Sequence, residues 1–182
     1  MPGSLGLLLA AAALLSVERL AYIGILRAPD AFRRWCARPA VAWLGEPVAI
    51  VRMLFYGAKA LQVSVFLGWC YVRGDASLAP ATSDPAVLGI AAAVMIVGQG
   101  LVWTVFFRLG RVGAFFGSRL GHDVRWCRAF PFSLLAHPQY VGTVMTIWGF
   151  FLAMRFPRDD WYVLPAIETL YYVVGGYLEA RA

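Results

Sequence analysis

The chain has 182 residues, of which 61% are hydrophobic and only 14% are charged, and its formal net charge is +6. Because soluble domains carry about 25% charged residues, this composition excludes a water-soluble globule and favours a single membrane domain over residues 1–182. The basic residues lie in short gaps between apolar segments, where membrane proteins face anionic lipid headgroups. The charge therefore indicates a membrane surface and not a nucleic-acid partner.

Four or five apolar segments approach the roughly 20 residues that a membrane helix needs. The first, 5–26, is interpreted as a retained helix, because the N-terminus lacks the positive charge of a signal peptide. The next two are 47–72 and 86–107, and the last, 142–178, is interrupted at 155–160 by RFPRDD. The sequence thus predicts an all-α, polytopic transmembrane bundle of four to five helices that ends in a helical hairpin.

The arginines predict how this bundle is oriented. The gaps 27–46 and 108–141 are rich in arginine, whereas the gap 73–85 contains only Arg73. By the positive-inside rule both basic gaps face the cytoplasm, and the hairpin returns the C-terminus to the same side. Lys59 is the single lysine and asparagine is absent, a composition typical of GC-rich genomes. It favours a bacterial inner membrane, with the endoplasmic reticulum as the alternative.

Charged residues also lie inside the predicted spans, at Glu18-Arg19, Arg52, Lys59 and Glu168. Intramembrane charges usually face the protein interior or water, which makes them candidates for function. Arg52 and Lys59 share a helix face because they are seven residues apart. Snorkelling or an internal ion pair explains such charges equally well.

Glycines mark two further features of the chain. Gly98-Gln99-Gly100 lies in the third span and allows either a ligand or another helix to approach the backbone closely. A second set recurs at every fourth position, at Gly113, Gly117 and Gly121. If the helix continues that far, this spacing predicts a ridge of small residues for helix packing.

The segment FPFSLLAHPQYVG, residues 130–142, leads into the last apolar region. Pro138 fits the first turn of a helix, and His137 before it can donate or accept a proton near neutral pH. Glu179 ends the last span. The three cysteines are far apart without a CxxC pair, so the sequence predicts no metal site.

The order of these elements resembles the membrane phospholipid N-methyltransferases. A GxG element in a span is followed by GAFFG at 113–117, by FPFSLL-x-x-P-x-Y-x-G, and by a hairpin that ends in glutamate. The likeness covers roughly residues 10–180. It implies an enzyme that uses S-adenosylmethionine to methylate the ethanolamine headgroup of membrane phospholipids towards phosphatidylcholine.

The resemblance also implies the cofactor-binding residues. The GxG element of the family corresponds to Gly98, Gln99 and Gly100, and its C-terminal Glu-Glu pair corresponds to Glu179 and Ala180. This chain therefore keeps only the first glutamate of the pair.

The remaining site residues are expected around the basic segment. We expect His137 to act as the base or to position the cofactor. Tyr140, Tyr171 and Tyr172 are expected to face a methylated ammonium by cation–π attraction. The substrate phosphate is expected at Arg119, Arg125 and Arg128.

Two alternatives stay open. A histidine in HPxY is closer to the isoprenylcysteine carboxyl methyltransferases, which are related in architecture. A non-catalytic membrane protein, whose glycines serve helix packing alone, is the third possibility.

Overall fold

The computed structural model describes residues 2–124 and 127–181, and every regular element in these ranges is a helix. The all-α fold is therefore confirmed. The helices are α1 (Pro2–Arg27), α2 (Pro29–Cys36), α3 (Pro39–Ala42), α4 (Pro47–Arg73), α5 (Pro85–Ala114), a 3-10 turn (Gly117–Leu120), α6 (Pro138–Arg155) and α7 (Val163–Glu179).

Prolines set where most of these helices begin. Each helix from α2 to α6 has proline in its first turn, where the missing N–H has no intrahelical partner to lose. Asp84 adds a side-chain cap to α5, because its carboxylate accepts a hydrogen bond of 2.8 Å from the backbone N–H of Ala86.

Three stretches are long and apolar enough to cross a membrane: Leu5–Arg27, Pro47–Arg73 and Pro85–Leu120. The chain is accordingly a multi-pass membrane protein. The hairpin helices α6 and α7 have 18 and 17 residues, which gives lengths of about 27 and 26 Å. These are slightly below the hydrocarbon thickness of about 30 Å, so the predicted count of four to five spans stays a prediction.

The helices α5 and α6 form the most extensive helix pair of the fold. A Cβ added to Gly98 would lie 2.5 Å from the carbonyl oxygen of Gly142, and the reverse also holds. The two backbones therefore touch, as small residues permit in membrane bundles. Antiparallel α6 and α7 are joined by a hydrogen bond of 3.0 Å from Trp148 Nε1–H to Thr169 Oγ1, while α1 lies against α4 and α7.

The segment after α5 corrects the predicted glycine ridge. The helix kinks at Gly110, where φ is 65°, and ends at Ala114. The 3-10 turn that follows is closed by Gly121 at φ 94°, a conformation that favours glycine. The ridge prediction is wrong because the chain has left the helix. Phe115 instead turns back into an apolar cluster with residues of α1 and α4.

At the opposite end of the bundle, an ionic cluster ties the hairpin turn to α4. The Asp160 carboxylate accepts hydrogen bonds from Trp69 Nε1 at 3.1 Å, Arg73 Nε at 3.1 Å and Arg155 Nη2 at 2.6 Å. Burial alone would raise the pKa of Asp160, but the two arginines outweigh burial and hold this pKa below its ordinary value.

Candidate active site

A cavity of about 440 Å³ lies where the C-terminal ends of α1, α5 and α7 meet the start of α6. We call it the polar cavity. Its acidic and basic lining residues are Glu18, Arg19, Lys59, Arg119, His137 and Glu179. The segment after α5 and the residues before α6 supply the rest of the wall, so the basic region and the C-terminus face each other across this space.

His137, Tyr140 and Glu179 meet in this cavity. The Tyr140 hydroxyl donates a hydrogen bond to Glu179 Oε1, and His137 Nδ1 lies 4.0 Å from Glu179 Oε2. The His137 and Tyr140 rings stack with centroids 5.4 Å apart. His137 precedes Pro138 and forms no side-chain cap on α6. Its imidazole instead faces Glu179 at the C-terminal end of α7.

The face of α7 that meets these rings is made of small residues. A Cβ on Gly176 would lie 3.5 Å from the His137 ring, and a Cβ on Gly175 would lie 3.6 Å from Arg19 Cδ. A side chain longer than alanine at Gly176 would displace the His137 ring from α7, and one at Gly175 would displace Arg19. The residue Glu179 lies one turn further along the same helix face.

An ionic network continues from the polar cavity into the bundle. Lys59 Nζ donates hydrogen bonds to Glu18 Oε2 at 3.1 Å, to Tyr172 Oη at 2.9 Å and to Gln62 Oε1 at 3.1 Å. Gln62 Nε2 donates to Glu168 Oε1 at 2.8 Å. With Arg19, which lies 3.5 Å from Glu18, four of the intramembrane charges noted in the sequence thus belong to one internal network.

The GxG element lies apart from this cluster. Gly98 is occupied by its contact with α6, and Gly100 has open space beside its Cα. Gln99 donates a hydrogen bond of 3.1 Å to Thr146 Oγ1 and lines a different, larger cavity. Cofactor binding by these three residues stays a prediction, since neither glycine is among the residues that line the polar cavity.

The other predicted residues divide between the cavity and the surface. Ala180 lines the polar cavity beside Glu179, and so does Arg119. Arg128 is exposed and is not among the cavity residues. Arg125 lies outside the described residues.

Comparison with known proteins decides the family. The model of the phospholipid methyltransferase family matches residues 87–180, slightly more than half of the chain. Phosphatidyl-N-methylethanolamine N-methyltransferase of Arabidopsis thaliana is 30% identical over 135 residues, which cover 70% of this chain and 74% of that relative. The chain belongs to the phospholipid methyltransferase family. No solved structure matches it significantly.

Family membership makes this chain a methyltransferase of phospholipids and implies S-adenosylmethionine as its methyl donor. The polar cavity fits such a molecule. Its volume lies within the usual range of about 300–1,000 Å³ for small-molecule sites. Glu179 offers a carboxylate to a cationic ligand. The Tyr22 hydroxyl lines the cavity and is buried without a hydrogen-bond partner among the described residues, so a polar ligand there would satisfy it.

In this phospholipid methyltransferase, α1 and α4 supply cavity residues that the sequence did not assign to the site. The family match begins at residue 87, whereas Glu18, Tyr22 and Lys59 precede it and still line the polar cavity. The intramembrane charges signalled two of these residues. Tyr22 carried a weaker signal, which is its position one helical turn after Glu18.

Proposed function

We propose that this methyltransferase transfers methyl groups from S-adenosylmethionine to the amine of phosphatidylethanolamine or of its mono- and dimethyl forms, towards phosphatidylcholine. The observation that carries the proposal is the meeting of His137, Tyr140 and Glu179 in one cavity of a membrane bundle. The substrate named for the Arabidopsis relative is a phospholipid with a monomethylated amine, which supports the same class of acceptor.

Glu179 is the carboxylate best suited to hold the cationic donor. The second acid of the cavity, Glu18, is paired with Lys59 at 3.1 Å and with Arg19 at 3.5 Å. Glu179 contacts Tyr140 and His137 and forms no ion pair with lysine or arginine among the described residues, so its charge is less compensated. Ala180 replaces the second family glutamate, which leaves Glu179 to act alone in this role.

S-adenosylmethionine, when bound, supplies a methyl group on a positively charged sulfur. The residues of the chain must align the amine and remove its proton, because only a neutral amine has a lone pair for attack. His137 is our candidate base, since its side chain is 41% exposed and can pass the proton to water. Tyr140 holds Glu179 by its hydroxyl and stacks on His137, which fixes both groups.

The family resemblance assigns cofactor binding to Gly98, Gln99 and Gly100, and two of them, Gly98 and Gln99, contact α6. The close approach of Gly98 to Gly142 sets the distance between α5 and α6, and α6 carries His137 and Tyr140 at its start. We therefore assign the GxG element a positioning role for the cofactor site.

We further propose that residues 1–182 form a single domain, because the walls of the polar cavity come from α1, α4, α5, α6 and α7. The arginine-rich gap 108–141, which contributes Arg119 to the cavity wall, supports a cavity at the cytoplasmic face by the positive-inside rule. The arginine-rich, asparagine-free composition supports a bacterial inner membrane.

The test is product analysis with full-length purified protein and methyl-labelled S-adenosylmethionine. Phosphatidylethanolamine, its mono- and dimethyl forms and a farnesylated cysteine are offered separately. We expect label in the methylated phospholipids and none in the cysteine methyl ester. Label in the ester alone would establish the carboxyl methyltransferase alternative, and absence of both transfer and cofactor binding would establish a non-catalytic protein.

Two variants connect the product to the site. We expect His137→Gln to lower kcat by at least about a hundredfold, the lower end of general-base effects. Glu179→Gln keeps the hydrogen-bond acceptor for Tyr140 but removes the charge, and should weaken cofactor binding by about a hundredfold. Glu46→Gln serves as control, because Glu46 is exposed and its side chain caps no helix. Full activity in both site variants would contradict this assignment.

A further inference from the structure

A second and larger cavity, of about 1080 Å³, lies between α4, α5 and α6. We call it the apolar groove. Aromatic side chains from all three helices line it, among them Phe66, Trp103 and Phe150. It opens on the outside of the bundle, because Trp103 and Phe107 on its wall are 61% and 81% exposed. In a membrane this opening faces lipid.

One end of the apolar groove carries only positive charge. Arg52 on α4 and Arg111 beyond the α5 kink both line it, and no carboxylate does so among the described residues. Neither guanidinium forms a hydrogen bond or ion pair within residues 2–124 and 127–181. Two uncompensated guanidinium groups beside an apolar surface suit a phosphate ester, whose oxygens accept paired hydrogen bonds from arginine.

The apolar groove adjoins the polar cavity. Phe55, Lys59, Phe115 and Thr143 line both spaces. The Phe55 and Phe115 rings stand edge to face with centroids 5.3 Å apart. A ligand in the groove therefore meets the polar cavity at this aromatic boundary.

The apolar groove is longer than the hydrocarbon part of one bilayer leaflet. Arg52 and Phe66 mark its length along α4, which is about 21 Å for fourteen residues. Half of the hydrocarbon core is about 15 Å thick. A groove of this length accommodates a headgroup at its charged end and acyl chains along the remainder.

We propose that the apolar groove binds the phospholipid substrate, with its phosphate between Arg52 and Arg111 and its amine directed past Phe55 and Phe115 into the polar cavity. This inference rests on the proposed function. It places the phosphate away from the positions expected from the sequence, of which Arg119 lines the polar cavity.

Snorkelling of Arg52 and Arg111 to bulk headgroups is the competing explanation. It predicts no selective occupation of the groove and no loss of substrate binding when the two charges are removed. The two explanations therefore differ in a measurement that does not depend on catalysis.

The first experiment is photo-crosslinking of the full-length protein in phosphatidylcholine nanodiscs. The probe is phosphatidyl-N-methylethanolamine with a diazirine near the end of one acyl chain, and a diacylglycerol with the same chain is the phosphate-free control. We expect labelled peptides that contain Met95 and Phe150, from the end of the groove away from the arginines. The double variant Arg52→Gln/Arg111→Gln should lower labelling by the phospholipid about tenfold and leave labelling by diacylglycerol within twofold.

The matched control is Arg34→Gln, at an exposed arginine outside both cavities. Arg119→Gln tests the alternative position of the phosphate, in the polar cavity. Unchanged phospholipid labelling in the double variant, or labelling outside the groove, would overturn the inference. A selective loss in Arg119→Gln would also overturn it, because the phosphate would then lie in the polar cavity.

Steady-state kinetics supply the second readout. In the double variant we expect KM for the lipid to rise about tenfold, with kcat and cofactor affinity within twofold of the parent. Reduced kcat or cofactor affinity with unchanged lipid KM would contradict the assignment. Groove labelling in a protein that transfers no methyl group would support the groove and contradict the proposed function, so the two failures are distinguishable.

Discussion

The polar cavity and the apolar groove share a stretch of α4 but differ in whether their charged side chains are paired. In the polar cavity acids and bases face one another, as Glu18 faces Lys59 at 3.1 Å. In the groove Arg52 and Arg111 stand without acidic partners among the lining residues. Internally paired charge stabilises a bundle, whereas unpaired charge beside an apolar surface is available to a ligand. The difference supports the proposal that Arg52 and Arg111 bind a ligand, whereas the partners of Lys59 lie within the protein.

The largest effect on stability is expected at Asp160, outside both the polar cavity and the apolar groove. Replacing it by asparagine leaves the buried Arg155 guanidinium without its ionic partner, which should lower the free energy of unfolding by about 3 kcal/mol. Cofactor and lipid binding should stay within twofold of the parent. Denaturation in detergent and the two binding assays check this prediction. Altered binding would show that the polar cavity and the apolar groove depend on the ionic cluster at Asp160.

The same substitution has a predictable pH dependence. The pKa of Asp160 is lowered in the folded protein, so its stabilisation is present above the unfolded value of about 3.9 and is lost as the pH falls through the folded pKa. The stability difference between the parent and Asp160→Asn should therefore shrink below about pH 4. A difference that grows on acidification would contradict the ionic account.

The next largest effect on stability is expected at Lys59, which lines both the polar cavity and the apolar groove. Lys59→Met leaves Glu18 without its closest cation and should lower the free energy of unfolding by somewhat less than 3 kcal/mol, because Lys59 is partly exposed. Adding Glu18→Gln should recover most of this loss. Unfolding of the two single variants and the double variant forms the cycle. If Glu18→Gln recovered none of the lost stability, the ion pair with Glu18 would not be the main role of Lys59, and contact with a ligand would be favoured.

A smaller effect separates packing from cofactor contact in the GxG element. Gly98→Ala places a Cβ 2.5 Å from the Gly142 carbonyl and should cost about 2 kcal/mol of stability. Gly100 is its matched control, since nothing lies within 4 Å of an added Cβ, and Gly100→Ala should change stability by less than about 0.5 kcal/mol. Loss of cofactor binding in Gly100→Ala, without loss of stability, would favour direct contact by the motif.

Much of this fold could be predicted from the sequence because apolar length and proline position are local signals. The predicted span 47–72 corresponds to α4 at Pro47–Arg73, and the interruption at RFPRDD to the hairpin turn. The ridge at Gly113, Gly117 and Gly121 failed, because a periodic spacing does not reveal that Gly110 and Gly121 adopt positive φ.

The candidate site was predictable only in part. His137, Tyr140 and Glu179 were selected by residue type and motif, and the structure brings them together. Which helix faces complete the cavity depends on tertiary packing, which periodicity does not encode. The full lining of the polar cavity and of the apolar groove was therefore visible only in the fold.

The separation of cofactor and lipid sites is tested most directly by one crossed measurement. S-adenosylhomocysteine affinity by calorimetry and phospholipid crosslinking in nanodiscs are compared in Glu179→Gln and in Arg52→Gln/Arg111→Gln. We predict that the first variant loses about a hundredfold in cofactor affinity and keeps lipid labelling, and that the second loses about tenfold in labelling and keeps cofactor affinity. Loss of both properties in both variants would contradict the account, because the two spaces would then act as one site.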